Sequence, residues 1–467
     1  MLTTDYLIIG SGAAGMSFAD QLLTDTNANV VIVDRHHSPG GHWNDAYSFV
    51  RLHAPSAFYG VGSRRLGNDC IDKSGLNRGY YELASGAEIV SYFDKVMQER
   101  LLPSGRVQYF PMCEYLGDGR FVSRLSGSMQ QVAFGKRLVN ATFQDTQVPS
   151  THTPSFQVAE GIKVTTPNLL PVYAPKHQRR VILGGGKTAM DACTWLLQMG
   201  ARPESIRWVV PQDTWVRNRD MMQPGDEFFE RTVGGAADQF EAAAKATSVD
   251  DLFERLEQKG QMLRIDRTVR PTAFRGGTLS LLEVEALGTI KDVVRNGRVS
   301  RIERDAIVLE RGDVDAVPDD LFVDCTAKAF RKQPAVPVFG ADEITIQQVR
   351  PGRLSFSAAL IAHVEASYGD DTVKNDLCAA IPSVEVAADF LSTILATLRN
   401  ERRWTADQEL RRWIDQHRLS GTGFRDTGVA SSPKGKRILE RLREARPQAA
   451  ANLARILAEL DSMHQDS

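Results

Sequence analysis

Close to its N-terminus the chain reads Asp5-Tyr6-Leu7-Ile8-Ile9, then Gly10-Ser11-Gly12-Ala13-Ala14-Gly15, a helical run to Leu23, and Val30-Val31-Ile32-Val33-Asp34. A buried strand, a glycine turn, a helix and a second buried strand ending in a carboxylate make the first βαβ unit of a dinucleotide-binding domain. Gly10 permits the tight turn, Gly12 lets the backbone approach a pyrophosphate, and Gly15 lets helix and strand pack closely. The pyrophosphate would sit on the helix N-terminus, at Ala13 and Ala14, where free N–H groups and the helix dipole favour anions. Asp34 is placed to accept hydrogen bonds from a ribose, with Arg35 beside it.

A second unit begins about 170 residues later. Arg180-Val181-Ile182-Leu183 is its strand, Gly184-Gly185-Gly186-Lys187-Thr188-Ala189 its turn, Met190 to Met199 its helix, and Ile206 to Val210 the next strand. Ala189 takes the third fingerprint position, a variant the fingerprint allows. A P-loop reading of Gly186-Lys187-Thr188 would need a glycine where the chain has Val181, inside the strand. Two such units imply two dinucleotides held at once. Beyond the second strand, Arg217 or Arg219, with Lys187, could clamp a 2′-phosphate through paired bonds, whereas Asp213 could take a free 2′-hydroxyl. NADPH is the expected coenzyme of this unit and NADH the alternative.

The 56 basic and 58 acidic residues leave a formal net charge of -2, which argues against nucleic acid or an anionic membrane as the principal partner. No apolar run reaches the roughly 18 residues of a membrane-spanning helix. The first strand also starts too early to leave room for a secretory leader, so the cytoplasm is the expected compartment. Cys70, Cys113, Cys193, Cys325 and Cys378 are scattered and never in CxxC spacing, against a disulfide framework, a thiolate zinc site or a dithiol relay; no metal is expected.

The expected fold class is α/β, with two Rossmann-like dinucleotide-binding domains and a C-terminal helical segment. Residues 1–165 and 321–385 form a discontinuous first domain, and 176–320 an inserted second domain with a helical excursion at 226–263 that could cover the cleft. Residues 386–467 form the helical region, broken by glycines at 421–428. Gly86 to Arg100 reads as an amphipathic helix, and Val107 to Phe110 and Leu138 to Thr142 as strands. Gln147 to Pro175, rich in Pro, Thr and Ser, reads as a linker. Leu321 to Ala327 reads as a buried strand returning to the first domain. The amphipathic tail carrying Leu453, Ile456 and Leu460 packs on its own chain or on a second subunit, which leaves a homodimer open.

The fingerprint at Gly10, Asp34, the tetrad Gly40-Gly41-His42-Trp43 and the second fingerprint at Gly184 together resemble the two-dinucleotide flavoprotein monooxygenases: the flavin-containing, Baeyer–Villiger and N-hydroxylating enzymes. In that family a GGxW tetrad follows the second strand and lies against the flavin. The resemblance therefore implies FAD in the first unit, held by Gly41, His42 and Trp43 together with Val107, Ala141 and Thr142. Val139-Asn140-Ala141-Thr142 is similar to the family's crossing element, and Val323 to Ala327 to its returning strand. The chain departs from the pattern in two places. Phe156 and His177 lack the partners of the family's Phe-x-Gly and His motif, and Phe143 replaces the glycine after Ala-Thr, so the chain reads as a divergent relative.

The resemblance further implies that NADPH reduces FAD and that a C4a-(hydro)peroxyflavin then oxygenates a small organic metabolite, with O2 as co-substrate. A flavin reductase or dehydrogenase serving another acceptor, and a non-catalytic flavoprotein, are the other readings. Arg51 and His53, in the loop after the tetrad, are the candidate catalytic residues. His53 could donate a hydrogen bond or shuttle a proton near neutral pH, or be structural. Arg51 could pair with a flavin phosphate, a substrate carboxylate or Asp45. Ser357, at a helix start, could cap that helix or help aim its dipole at the flavin.

Overall fold

The structure is a computed structural model that describes residues 1–144, 146–328, 333, 336–421 and 428–465. Valine- and isoleucine-rich runs ending in glycine turns make parallel strands covered on both faces. In the first sheet β1 (Leu2–Ile9) pairs in parallel with β2 (Val30–Val33) and β6 (Met129–Asn140), and β2 pairs with β3 (Val107–Phe110). The antiparallel β4 (Cys113–Gly117) and β5 (Arg120–Ser123) continue from β6, giving the order β3-β2-β1-β6-β5-β4.

The second sheet runs β14 (Val293–Val294), β10 (Ile206–Val209), β9 (Arg180–Leu183), β18 (Leu321–Asp324), β8 (Val164–Thr165), all parallel. Two smaller sheets lie beside it. One is β12 (Met262–Leu263), β11 (Thr214–Asn218) and β13 (Ala273–Leu279); the other is β17 (Gly312–Asp315), β16 (Ala306–Leu309), β15 (Val299–Ile302) and β7 (Gln157–Val158). The last strand, β19 (Glu343–Thr345), returns to the first sheet beside β6.

The helices, in order, are α1 (Ala13–Asp25), α2 (Gly86–Val96), α3 (Leu170–Tyr173), α4 (Lys187–Gln198), α5 (Phe229–Lys245), α6 (Val249–Gln258), α7 (Leu281–Leu287), α8 (Leu354–Ser367), α9 (Asp371–Leu377), α10 (Ala387–Ala406), α11 (Gln408–Gln416), α12 (Gly428–Ser431) and α13 (Pro433–Gln465). Met16, Phe18 and Leu22 of α1 share one core with Phe356, Leu360 and Ile361 of α8. Phe240 of α5 and Leu252, Phe253 and Leu256 of α6 share another with Phe390 of α10 and Leu453 and Ile456 of α13. The tail thus packs on its own chain, over the excursion that follows β11.

Two expectations are corrected. Leu321–Asp324 does not return to the first sheet: its backbone pairs with β9, Leu321 opposite Arg180 and Asp324 opposite Leu183, and the return falls at β19. Nor is 147–175 a plain linker, since it supplies β7 and β8 to two sheets and the short helix α3. Most of the expected glycine break, residues 422–427, lies outside the described residues. Cys70 is exposed and the other four cysteines are buried free thiols. Among the described residues no helix is long and apolar enough to cross a membrane.

Candidate functional site

Both glycine turns sit at the carboxyl ends of their sheets, where open α/β folds bind ligands. In the first, Gly10 has φ +99°, and a Cβ on Gly15 would collide with the Gly10 carbonyl oxygen. Helix and strand approach as closely there as the sequence implied. Ala141 and Thr142 lie against Gly10, and the Ala141 amide donates to the Ile9 carbonyl at 3.0 Å. The tetrad closes over the turn: Gly40 donates to the Ser11 carbonyl at 2.9 Å, and a Cβ on Gly12 would rest 3.5 Å from the Gly41 Cα. Trp43 Nε1 donates to the Tyr59 hydroxyl at 2.7 Å, and the His42 ring lies 5.0 Å from the Trp43 ring. Burial pulls the His42 pKa down to about 4, so this ring is neutral at pH 7.

Helix α1 starts at Gly12 and α4 at Gly186, and neither first turn carries a side-chain cap. By contrast Ser85 caps α2 and Ser280 caps α7, each within a capping box. The glycine turns therefore leave N–H groups free where a pyrophosphate would bind. At the head of α8 the buried Ser355 hydroxyl has no partner, while Ser17 donates to the Ser355 carbonyl at 2.7 Å. A glycine cradle, a bare helix end and an orphaned hydroxyl fit a bound dinucleotide.

Asp34 is 5% exposed, and four protein donors already face its carboxylate: the amides and side chains of Ser11 and His36. Burial raises its pKa, but these bonds outweigh that and hold the group lower than usual. A ribose hydroxyl would have to replace one of them. His36 also reaches Asp45 at 2.7 Å, and its bond with Asp34 holds its pKa above the ordinary value. The Asp34-Arg35-His36 run was the signal for this residue. Arg35 itself is exposed, and its carbonyl accepts from Arg124 at 3.1 Å.

From Asp45 the chain crosses to the second unit. Tyr47 donates to Asp191 of α4 at 2.8 Å, and Phe49 stacks on Trp195 of α4 with ring centroids 5.0 Å apart. Asp191 also binds Lys187. His53 follows and is exposed at the surface of this loop. Desolvation by the surrounding protein, and then the Lys187 and Arg219 charges, hold its pKa well below the ordinary value. Arg51 is exposed as well and donates to the Leu83 carbonyl at 3.3 Å.

In the second turn Gly184 has φ +127° and would meet the Cys325 carbonyl if it carried a Cβ. Trp208 Nε1 buttresses the turn by donating to the Gly184 carbonyl at 2.7 Å. Ala189 is fully buried at the third fingerprint position, while Gly186, Lys187 and Thr188 stay accessible.

Five sequence expectations do not survive the geometry. Val107 begins β3 opposite Val30, about 10 Å from the carboxyl edge at Phe110, and is buried in the core; Tyr109, 3.3 Å from the Ser11 hydroxyl, is the β3 side chain at the turn. Ser357 accepts from the Val349 and Arg350 amides and donates to the Arg353 carbonyl, so it ties down the preceding loop. Arg219 is 1% exposed, paired with Glu283 at 2.6 Å and bonded to the His53 carbonyl and Asn77, which leaves it no room for a phosphate. Arg217 packs over Phe274 and Phe390, away from the Gly184 turn. Asp213 is not free either, being paired with Arg295 at 2.9 Å. Beside Arg295, a second basic group lies near the end of β10: Arg275 donates to the Gln212 side chain at 2.8 Å, and the Gln212 carbonyl abuts Gly185.

Fold and site thus define an α/β protein with two dinucleotide-binding units, tied together where Tyr47 and Phe49 meet α4. Residues 8–58 match the NAD(P)-binding Rossmann-like domain family. Cyclohexanone monooxygenase in its open crystal form superimposes with a TM-score of 0.50 at 14% identity, covering 80% of this chain and 88% of that one, a likeness of fold. The uncharacterized protein Rv2000 of Mycobacterium tuberculosis and Mb2023 of Mycobacterium bovis are each 48% identical to this chain over 419 residues, 90% of this chain and 78% of theirs. The chain belongs to the family of these mycobacterial proteins.

Proposed function

We propose that this chain is an NADPH- and FAD-dependent monooxygenase acting on a small organic molecule, with O2 as co-substrate. The observation that carries the reading is the bridge Asp34–His36–Asp45, Tyr47–Asp191–Lys187, with His53 beyond it. One loop ties the first unit's ribose position to the head of the second unit's helix, as hydride transfer between two bound dinucleotides requires. FAD would be held by Gly10 to Gly15, Asp34, Gly41 to Trp43, Ala141 and Thr142. The nicotinamide coenzyme would be held by Gly184 to Ala189 and Arg275. The chemistry that FAD would supply at this site is hydride acceptance from the nicotinamide coenzyme and delivery of those electrons to O2.

The protein's part is to position and to exclude water. Tyr47 and Phe49 on α4 close the cleft with aromatic surface, and Trp43 is fixed by Tyr59. His53, uncharged at neutral pH, can donate a hydrogen bond from one ring nitrogen and accept one at the other without placing a charge beside the coenzyme.

The test is anaerobic addition of NADPH to the flavin-loaded protein, then readmission of O2 under stopped flow. The expected result is bleaching, followed by a transient absorbance distinct from both oxidised and reduced flavin. Bleaching with direct reoxidation would make the protein a flavin reductase, and no bleaching by NADPH or NADH would remove both enzyme readings.

A further inference from the structure

Four backbone carbonyls in the loop after the tetrad, those of Ala57, Tyr59, Val61 and Arg64, converge on one guanidinium, that of Arg418. Its Nε donates to Val61 at 3.0 Å and its Nη1 to Ala57 at 2.9 Å, while Nη2 reaches Tyr59, Val61 and Arg64 at 2.9, 2.6 and 2.7 Å. Carbonyl oxygens turned toward one point repel one another, and a cation placed there makes the arrangement favourable. The cation comes from 354 residues or more further along the chain. Arg418 opens a short turn, Arg418–Ser420, whose Leu419 amide donates to His417 Nδ1 at 3.3 Å. Leu419 is buried in the core that α1 and α8 share, and the Ser420 carbonyl accepts from Arg350 at 2.7 Å. Arg350 pairs with Glu401 of α10 at 3.4 Å, and Glu401 with Arg446 of α13 at 3.0 Å. The C-terminal helical region therefore presents Arg418 from a fixed base.

One bond of this clamp leads to the tetrad. Tyr59 is gripped at its carbonyl by Arg418, and its hydroxyl accepts from Trp43 Nε1 at 2.7 Å. The two rings meet edge to face, with centroids 6.0 Å apart and planes at 83°. Other anchors hold other parts of the loop: the Val61 amide donates to the Tyr92 hydroxyl at 2.8 Å, and the Ser63 amide to Asp20 of α1 at 2.9 Å. Those two bonds keep the loop on the protein, and neither sets Tyr59. We propose that Arg418 is a positioning residue for Trp43: by gathering the four carbonyls it fixes the Tyr59 hydroxyl, and through that hydroxyl the indole. The C-terminal helical region thereby completes the first unit's dinucleotide site. The inference rests on the proposed function only in setting Trp43 against FAD; the order of loop and indole can be measured without flavin.

The test compares Arg418→Ala, Arg418→Lys and Tyr59→Phe in the full-length protein. Hydrogen exchange follows the loop at 57–64, and acrylamide quenching follows the Trp43 emission, taken as the difference from the same protein carrying Trp43→Phe. In Arg418→Ala the loop should exchange about tenfold or more faster, the worth of lost charge-assisted bonds, while α1 and α8 keep the parent rates. Its indole should become open to the quencher. Millimolar guanidinium, far below denaturing concentrations, should refill the carbonyl cradle and reverse both effects, and urea or sodium chloride at the same concentration should not. Arg418→Lys, a single point charge without the fork, should fall between parent and Arg418→Ala. Tyr59→Phe should free the indole and leave loop exchange slow, which separates the relay from the clamp. Parent-like exchange or quenching in Arg418→Ala, effects that guanidinium fails to reverse, or a shielded indole in Tyr59→Phe would overturn the proposal. If Arg418→Ala does not fold, Arg418→Lys decides: faster loop exchange with a more open indole supports the clamp, and parent-like values of either overturn it. These loop effects in a protein that binds no flavin would overturn the proposed function and leave the positioning of Trp43 by Arg418 standing.

Discussion

In the first glycine turn Ser11, Ala13, Ala14 and Gly15 are buried and Gly41 of the tetrad presses on Gly12, whereas in the second Gly185 to Thr188 are all accessible and a Cβ on Gly186 would meet nothing within 4 Å. The carboxylates that end the second strands differ in the same sense. Asp34 is buried under four hydrogen bonds, while Asp213 lies at the rim, paired with Arg295. A turn roofed by its own chain suits a ligand that stays through many turnovers, and an open turn suits one that enters and leaves in each. This is the asymmetry expected of a resident flavin and an exchanging nicotinamide, produced by what packs over two nearly identical motifs.

The sharpest attempt to break this comparison is to add the same methyl group to both turns. Gly15→Ala should cost about 3 kcal/mol and lose the flavin, because the new Cβ meets backbone that cannot yield. Gly186→Ala should melt like the parent and stay yellow, raising only the KM for the coenzyme, about tenfold. Thermal melts and flavin absorbance per protein decide it, and a stable, loaded Gly15→Ala variant would end the idea of a roofed first turn. A smaller effect is expected at the open turn: Arg275→Ala should lower the NADPH-over-NADH ratio of kcat/KM about tenfold, the worth of one charge-assisted contact. If Arg217→Met has that effect and Arg275→Ala does not, the phosphate site is misplaced.

The smallest effect concerns pH. His36, bonded to Asp34, has a folded pKa above its unfolded value of about 6.5. Its contribution to stability is therefore full below that value and is lost as the pH rises through the higher folded pKa. Urea melts should show the parent weakening from near pH 6 upward, and His36→Asn should flatten that slope. The second unit has no counterpart, since its carboxylate is paired with an arginine that stays charged throughout.

What could be read from the sequence was local. Each βαβ unit is set by residues within one short stretch, and strands, turns and helices fell where periodicity and glycine placed them. The sheet that β18 joins could not be read, because an apolar run states that it is buried and not beside which strand. Arg219 looked like a phosphate ligand because its partner, Glu283, is distant in sequence and was hidden in the capping box of α7. Val107 failed for a simpler reason: the strand was right, but side chains that reach a ligand come from its other end. His53 was singled out by its position after the tetrad, while the link through His36 and Tyr47 depends on a crossing between units that no single segment encodes.

The packing of α1 on α8 bears on how the chain is made. The helix of the first glycine turn has left the ribosome long before Leu354 to Ser367 exist to cover Met16, Phe18 and Leu22. At roughly 5–20 residues per second the gap lasts about 15–70 s. During that time β1 also waits in a sheet whose last parallel strand, β19, is unmade. The first unit is thus among the last to be completed, and the nascent chain carries an apolar helix without its cover for most of its synthesis.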